Sequence, residues 1–228
     1  MKRDPLEKAK KILRKIKKIA GRVNGDFLLN LIEVIFFLKV RVIGTKNIKR
    51  GGYVYAIHPH SDVMETMLVF NILRRGLGTR GFYFLIIYWL PTVVDFLCGN
   101  QFIKKFNFLI REKNEKWRWY KEAVKYLDEG YPVVLYMTSF LKNFKSGSLG
   151  TGAARLALET QKPIIPVLVK SSVQNGMVNF LKYLFNPFKK IDIIIGKPFI
   201  VSIPDKREAA EYIVARILRL KELKNSSG

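Results

Sequence analysis

Apolar residues recur at intervals of three and four through the first 23 positions, at Leu6, Ala9, Ile12, Leu13, Ile16, Ile19, Ala20 and Val23. Lysines and arginines fill the gaps. The spacing predicts an amphipathic helix with a strongly basic polar face. Such a helix either docks on a membrane surface or packs on the protein's own core with its basic face in water. Asn24-Gly25-Asp26 interrupts the pattern, and Phe27 to Leu38 follows as a short apolar run broken by Asn30 and Glu33. It is too short to span a bilayer securely, and an acid at its centre is costly in hydrocarbon. A buried or half-inserted helix is expected there. Residues 1–23 lack the continuous apolar stretch and small-residue cleavage site of a signal peptide.

From Lys39 the period changes. Lys39 to Gly44 alternates like a strand with one wet face, Lys49-Arg50-Gly51-Gly52 reads as a turn, and Tyr53 to Ile57 reads as a buried strand ending at His58. Val63 to Leu73 is helix-like, and Arg74 to Arg80 reads as a basic, glycine-punctuated loop. Phe82 to Cys98 is apolar but carries Pro91 and Asp95, so it makes a poor spanning helix. Gln101 to Lys105 is expected as a short strand. Glu115 to Glu129 is a helix with Gly130 as its stop signal, and Pro132 to Tyr136 is a strand. Ser139 to Gly152 is a Lys-, Ser- and Gly-rich loop. Ala153 to Glu159 begins a further helix, Ile164 to Val169 and Ile191 to Ile195 are strands, and Asp205 to Leu223 is a terminal amphipathic helix. Strands alternating with helices predict an α/β sheet. No repeat or linker marks a further boundary, so residues 39–228 are expected to form one α/β domain, with residues 1–38 as a helical docking region.

Composition narrows the function. A chain of 228 residues that is 49% hydrophobic can bury a full core. A net charge of +23 points to a polyanionic partner, either nucleic acid or an anionic lipid surface. No helix-turn-helix, zinc-finger or RNA-recognition signature is present, so specific nucleic-acid binding is not expected. The single cysteine, Cys98, forms no internal disulfide, and with two histidines it does not supply a structural zinc site.

Both histidines fall in Ile57-His58-Pro59-His60-Ser61-Asp62-Val63-Met64-Glu65-Thr66. They are the only imidazoles available for proton transfer near neutral pH. A histidine that takes a proton from a hydroxyl needs a carboxylate behind it to fix its tautomer and stabilise the cation. His60 has Glu65 five positions on, His58 has Asp62 at helical spacing, and His60 has Asp62 nearby; periodicity does not rank these. The same residues also suit a plain strand end, with Asp62 as a helix N-cap and Glu65 completing a capping-box-like start.

This segment and its surroundings resemble the glycerolipid acyltransferase superfamily, which includes the lysophosphatidic acid acyltransferases. The run from Val40 to Ile48 and then Gly51 to Ile57 leads into the histidines as that family leads into its His-x4-Asp motif. On that motif His60 is the catalytic histidine, and Glu65 stands where aspartate is usual. His58-Pro59-His60 is also similar to the His-Pro-His-Gly motif of the diacylglycerol acyltransferase 2 branch, with Ser61 in place of glycine. The family's Gly-x-x-Phe-Ile-x-Arg block reads Gly99-Asn100-Gln101-Phe102-Ile103-Lys104-Lys105, which places Lys105 on the arginine; a lysine binds phosphate as a point charge without the bidentate fork. Its Glu-Gly-Thr-Arg block falls on Met137-Thr138-Ser139-Phe140, so both the acid and the arginine are replaced. Gly152 to Glu159, Pro163-Ile164-Ile165-Pro166-Val167 and Gly196-Lys197-Pro198-Phe199 resemble the later blocks in order.

The resemblance implies a single-domain mixed sheet flanked by helices. It also implies direct acyl transfer from a thioester, acyl-CoA or acyl carrier protein, to a lipid hydroxyl. His60 would be the general base supported by Glu65. Gly99, Phe102, Lys105, Thr138, Ser139, Lys142 and Arg155 would lie around the acceptor, with no metal or resident cofactor. The apolar segments 27–38 and 82–98 would receive lipid chains or rest in one leaflet. The basic N-terminal helix adds attraction to anionic lipid, giving peripheral or monotopic association at a cytoplasmic membrane face. A catalytically altered, lipid-binding relative is the alternative that the replaced block leaves open.

Overall fold

Apolar runs too short for helices become the strands of one sheet in the computed structural model, which describes residues 40–58, 63–78, 81–87, 107–111, 117–137, 149–170 and 191–222. The strands are β1 (Val40–Ile43), β2 (Val54–His58), β3 (Tyr83–Ile87), β4 (Phe108–Arg111), β5 (Val133–Tyr136), β6 (Ile164–Lys170) and β7 (Ile191–Ile195). The helices are α1 (Val63–Leu77), α2 (Arg118–Asp128), α3 (Gly152–Thr160) and α4 (Lys206–Arg219). The seven strands lie in the order β1-β7-β6-β2-β5-β3-β4, with β2 in the middle. Strands β6, β2, β5, β3 and β4 run parallel. Strand β7 runs against β6 and carries β1 parallel to itself. This is the α/β sheet that the pattern predicts, in the mixed, helix-flanked form that the resemblance implies.

The near-continuous apolar character of the central strands has a direct cause: helices cover both faces. Tyr55 and Ile57 of β2 join Leu68, Val69, Phe70 and Leu73 of α1 in one core. Val54 and Ala56 join Ala123 and Leu127 of α2, Leu156 of α3, and Ile213 and Ile217 of α4 in the other. Alternation along the strand makes these the two faces of β2. The β2 entry is pinned by Tyr55, whose hydroxyl accepts from Lys49 N at 2.8 Å and donates to Lys49 O at 3.0 Å. Burial pushes that hydroxyl up to about 12, so it remains a donor at any ordinary pH. At the far end, Asp205 caps α4 by accepting from Arg207 N at 2.9 Å and Glu208 N at 2.8 Å, a cap contributing about 1 kcal/mol.

One expectation needs correction, and two strands were not anticipated. The basic segment after Leu73 is not a loop from Arg74 onward, because α1 continues to Leu77. The apolar run from Phe82 to Cys98 begins as a strand, β3, with Phe82 and Phe84 buried in the core on the α1 face. A strand at Phe108–Arg111, β4, was not expected from the sequence at all. The helices expected in residues 1–38 and the strand expected at 101–105 lie outside the described residues.

Candidate active site

Strand β2 ends at His58, and α1 begins at Val63, so the histidine segment joins the carboxyl end of the central strand to the start of a helix. In α/β sheets, ligands bind beyond the carboxyl ends of parallel strands. The neighbouring strands bring one further sequence block to this edge and lay another alongside β2. Ile57 is in register with Tyr136 of β5, and Met137 N donates to Ile57 O at 2.9 Å. On the other side His58 is in register with Leu168 of β6. The histidine segment, the start of Met137-Thr138-Ser139-Phe140, and the Pro163–Val167 block therefore sit on three adjacent strands.

His60 and Asp62 lie outside the described residues, as do Gly99, Phe102, Lys105, Thr138, Ser139 and Lys142. Glu65 falls in the first turn of α1, and its side chain is also outside them. His58 can be placed. By alternation with Val54 and Ala56 its ring belongs to the face covered by α2, α3 and α4. Its Nδ1 is buried and has no hydrogen-bond partner among the described residues. Burial holds its pKa below the usual 6.5, and the Lys221 ammonium at the end of α4 depresses it further.

The folded pKa lies below the unfolded one, so the unfolded chain binds the proton first as pH falls. The stability tied to a neutral His58 is complete above about pH 6.5 and is lost as the pH drops from there through the folded value. Wild-type protein is therefore expected to lose more of its denaturant midpoint between about pH 7.5 and about pH 5 than a His58→Leu variant. Equal losses in paired urea melts would refute the assignment.

Met137 stands where the resembled family carries an acid, and it is fully buried in the apolar core on the α2–α4 face. An ionised glutamate in that surrounding would need a dedicated partner. Arg155, expected near the acceptor, lies on α3 and has partners of its own. Its Nε donates to Glu159 Oε1 at 2.8 Å, and its guanidinium carbon lies 4.3 Å from the Trp117 ring centre and 4.5 Å from that of Tyr120. The Tyr120 hydroxyl also donates to Glu159. That bond, aided by Arg155, holds the Glu159 carboxyl below the usual range. Burial, reinforced by Glu159, pushes the Tyr120 hydroxyl up. The cluster ties the start of α2 to α3 across their packed surfaces. Sequence reasoning missed it, although the four-residue spacing of Arg155 and Glu159 was readable. It also missed Lys221, which in the sequence is one more lysine on a basic helix.

Among the described residues no helix is long and apolar enough to cross a membrane. Also among the described residues, no three His, Cys, Asp or Glu side chains gather where a metal ion would sit. No family model and no curated protein matches the sequence. A solved structure does match: the crystal structure of the 1-acyl-sn-glycerophosphate (LPA) acyltransferase, PlsC, from Thermotoga maritima, with a TM-score of 0.56 and 21% sequence identity. The match covers 98% of this chain and 84% of that one, a likeness of fold.

Proposed function

We propose that the chain is a membrane-associated acyltransferase. It moves an acyl chain from a thioester, acyl-CoA or acyl carrier protein, to a hydroxyl of a glycerolipid or lysophospholipid. The observation that supports this best is that the histidine segment and the start of the Met137 block leave the carboxyl ends of the adjacent strands β2 and β5, with the Pro163–Val167 block running beside β2 on β6. The fold shared with an LPA acyltransferase is consistent with it.

In this reading His60 takes the proton of the acceptor hydroxyl while Glu65 orients the imidazole and supports its positive charge. The oxygen attacks the thioester carbonyl, the C–O bond forms, and the C–S bond breaks. The imidazolium returns its proton to the leaving thiolate. Lys105, with Lys142, Thr138 and Ser139, holds the acceptor's head group, and Gly99 and Phe102 shape the block that carries Lys105. His58 with Asp62 is the alternative acid–base pair. The reaction requires no resident cofactor or metal ion. Residues 1–38 dock the domain on an anionic bilayer at the cytoplasmic face, with residues 39–228 as the catalytic domain.

A second reading has a specific observation in its favour. Met137 places an apolar, buried side chain where the family has an acid, which suits a lipid-binding relative without turnover. Incubating the protein in anionic vesicles with 1-acylglycerol 3-phosphate and a panel of acyl thioesters decides between them. A new diacyl product seen by mass spectrometry supports the transferase. Co-purified lipid with no product from any donor supports the second reading.

A further inference from the structure

Helix α2 returns the chain from the carboxyl end of β4 to the amino end of β5. These strands run parallel through β3, so the start of α2 stands at the carboxyl edge of the sheet, where the histidine segment leaves β2. Trp117, the residue just before that helix, is 58% exposed. Helix α3 starts at the same edge. Gly150 N donates to Met137 O at 2.8 Å, and Met137 N donates to Ile57 O near the end of β2. A β-carbon on Gly152 would lie 3.3 Å from Cη2 of Trp119, so the two helix starts are packed side by side.

The indole of Trp117 is held in place. The Arg155 guanidinium carbon lies over its ring, 4.3 Å from the centre, and the Tyr120 ring meets it edge-on at 6.1 Å. Arg155 is itself anchored, its Nε donating to Glu159 Oε1 at 2.8 Å. A cation over one ring face orients the side chain, yet more than half of the residue is left in water. A single exposed apolar side chain needs no special explanation, but this one differs in kind and in place. Tryptophan, with an apolar body and a polar N–H, concentrates at membrane–water interfaces. Exposed Arg118 and Lys121 stand on the same turn of α2 and suit anionic head groups. Two other exposed apolar side chains mark the opposite edge of the sheet. Tyr131 precedes β5, and Ile200 follows Phe199, which pairs with Ile164 at the start of β6.

We propose that Trp117 is an interfacial anchor that sinks into the head-group region of an anionic bilayer and holds the carboxyl edge of the sheet against the lipid. The inference rests on the membrane-associated reading, in which a lipid acceptor has to reach that edge from a bilayer. It adds a contact made by the α/β domain itself, separate from residues 1–38. It also sets which way round the domain sits, with Trp117 in the interface and Tyr131 and Ile200 in water. The net charge of +23 favours an anionic lipid surface as the occupant.

The test uses the full chain with vesicles of phosphatidylglycerol and phosphatidylcholine whose acyl chains carry bromine close to the head group. Bromine quenches indole emission only at short range. The chain has three tryptophans, so Trp117→Phe, which keeps a ring over Arg155, isolates the Trp117 signal by difference. That signal is expected to be quenched by the brominated lipid and to become less open to acrylamide than it is in solution. Trp117→Ser is expected to weaken co-sedimentation with the vesicles about tenfold, the loss of one ring's apolar area from the interface. Ile200→Ser, at the opposite edge, leaves co-sedimentation unchanged.

Wild-type protein that sediments with vesicles while Trp117 stays as open to acrylamide as in solution overturns the anchor and leaves docking by residues 1–38 standing. Shielding from acrylamide without bromine quenching assigns the ring to a contact between proteins and overturns it too. So does an equal loss of binding in Trp117→Ser and Ile200→Ser, because any exposed apolar side chain would then serve. Protein that does not sediment at all removes the anchor and the membrane-associated reading together. No arm measures turnover, so a chain that binds through Trp117 and makes no product loses only the acyl-transfer reading.

Discussion

Replacing His60 by alanine is expected to abolish acyl transfer, a loss of roughly two to four orders of magnitude for a general base, with the protein still folded. The fold should tolerate the change because the cores on either side of β2 are built from Tyr55, Ile57, Val54 and Ala56, with their helix partners. His60 lies beyond the end of that strand. The companion variant His58→Ala separates the two imidazoles. If transfer depends on His60, His58→Ala retains turnover; if the alternative pair carries the chemistry, His58→Ala is the inactive variant and His60→Ala is not. Product formation in the vesicle assay, with circular dichroism to confirm folding, reads both. Undiminished transfer by His60→Ala removes the assignment of that residue.

The largest effect on stability is expected at Phe84. Its ring is fully buried on β3 and stands 5.7 Å from Phe70 of α1, 6.4 Å from Phe82 and 6.0 Å from Tyr136 at the end of β5. These contacts join α1, β3 and β5, three of the elements nearest the candidate site. Phe84→Ala removes the ring and leaves a cavity that three aromatic neighbours cannot easily collapse around. The expected cost is about 3–5 kcal/mol, a large share of the roughly 5–15 kcal/mol that holds a typical domain together. Urea melts of the two proteins measure it, and a difference below about 1 kcal/mol would mean that the aromatic group does not pack as described.

Much of this core was readable in advance because its strands are covered on both sides. Val54–Ile57, Val133–Tyr136 and Ile164–Val169 appear in the sequence as apolar runs, and Ile191–Ile195 is broken only by Asp192. The misreadings have equally local causes. Tyr83–Ile87 is embedded in a longer apolar stretch, and periodicity does not show where a strand inside it stops. Phe108–Arg111 is short and lies among charged residues, so it carried no strand signal. Gly76 suggested a loop, yet it sits inside α1 for a packing reason: a β-carbon there would be 2.7 Å from Ile48 Cγ2. The true end of the helix is at Gly78, where φ is +92° and the backbone turns.

The site divides in the same way. Sequence order brought the histidines, the replaced Glu-Gly-Thr-Arg block and the later proline block to notice. Only strand register shows that they meet on β2, β5 and β6. The influence of Lys221 on His58 was not legible because nothing in a run of basic residues says which one will bear on a distant histidine. Arg155 was legible as a cation, but its stacking on Trp117 and Tyr120 depends on two helices meeting from distant parts of the chain.

The reversal at β7 sets a condition on how the chain is made. Among the described residues Val40 finds its strand partner in Ile191, so the earliest of the described strands to leave the ribosome must wait for the latest. Until Ile191–Ile195 emerges, β6, buried over all but its final residue in the finished protein, presents an open apolar edge. Pairings so distant in sequence close slowly. A nascent chain of this kind has every reason to be sheltered, by a chaperone or a lipid surface, before its sheet is complete.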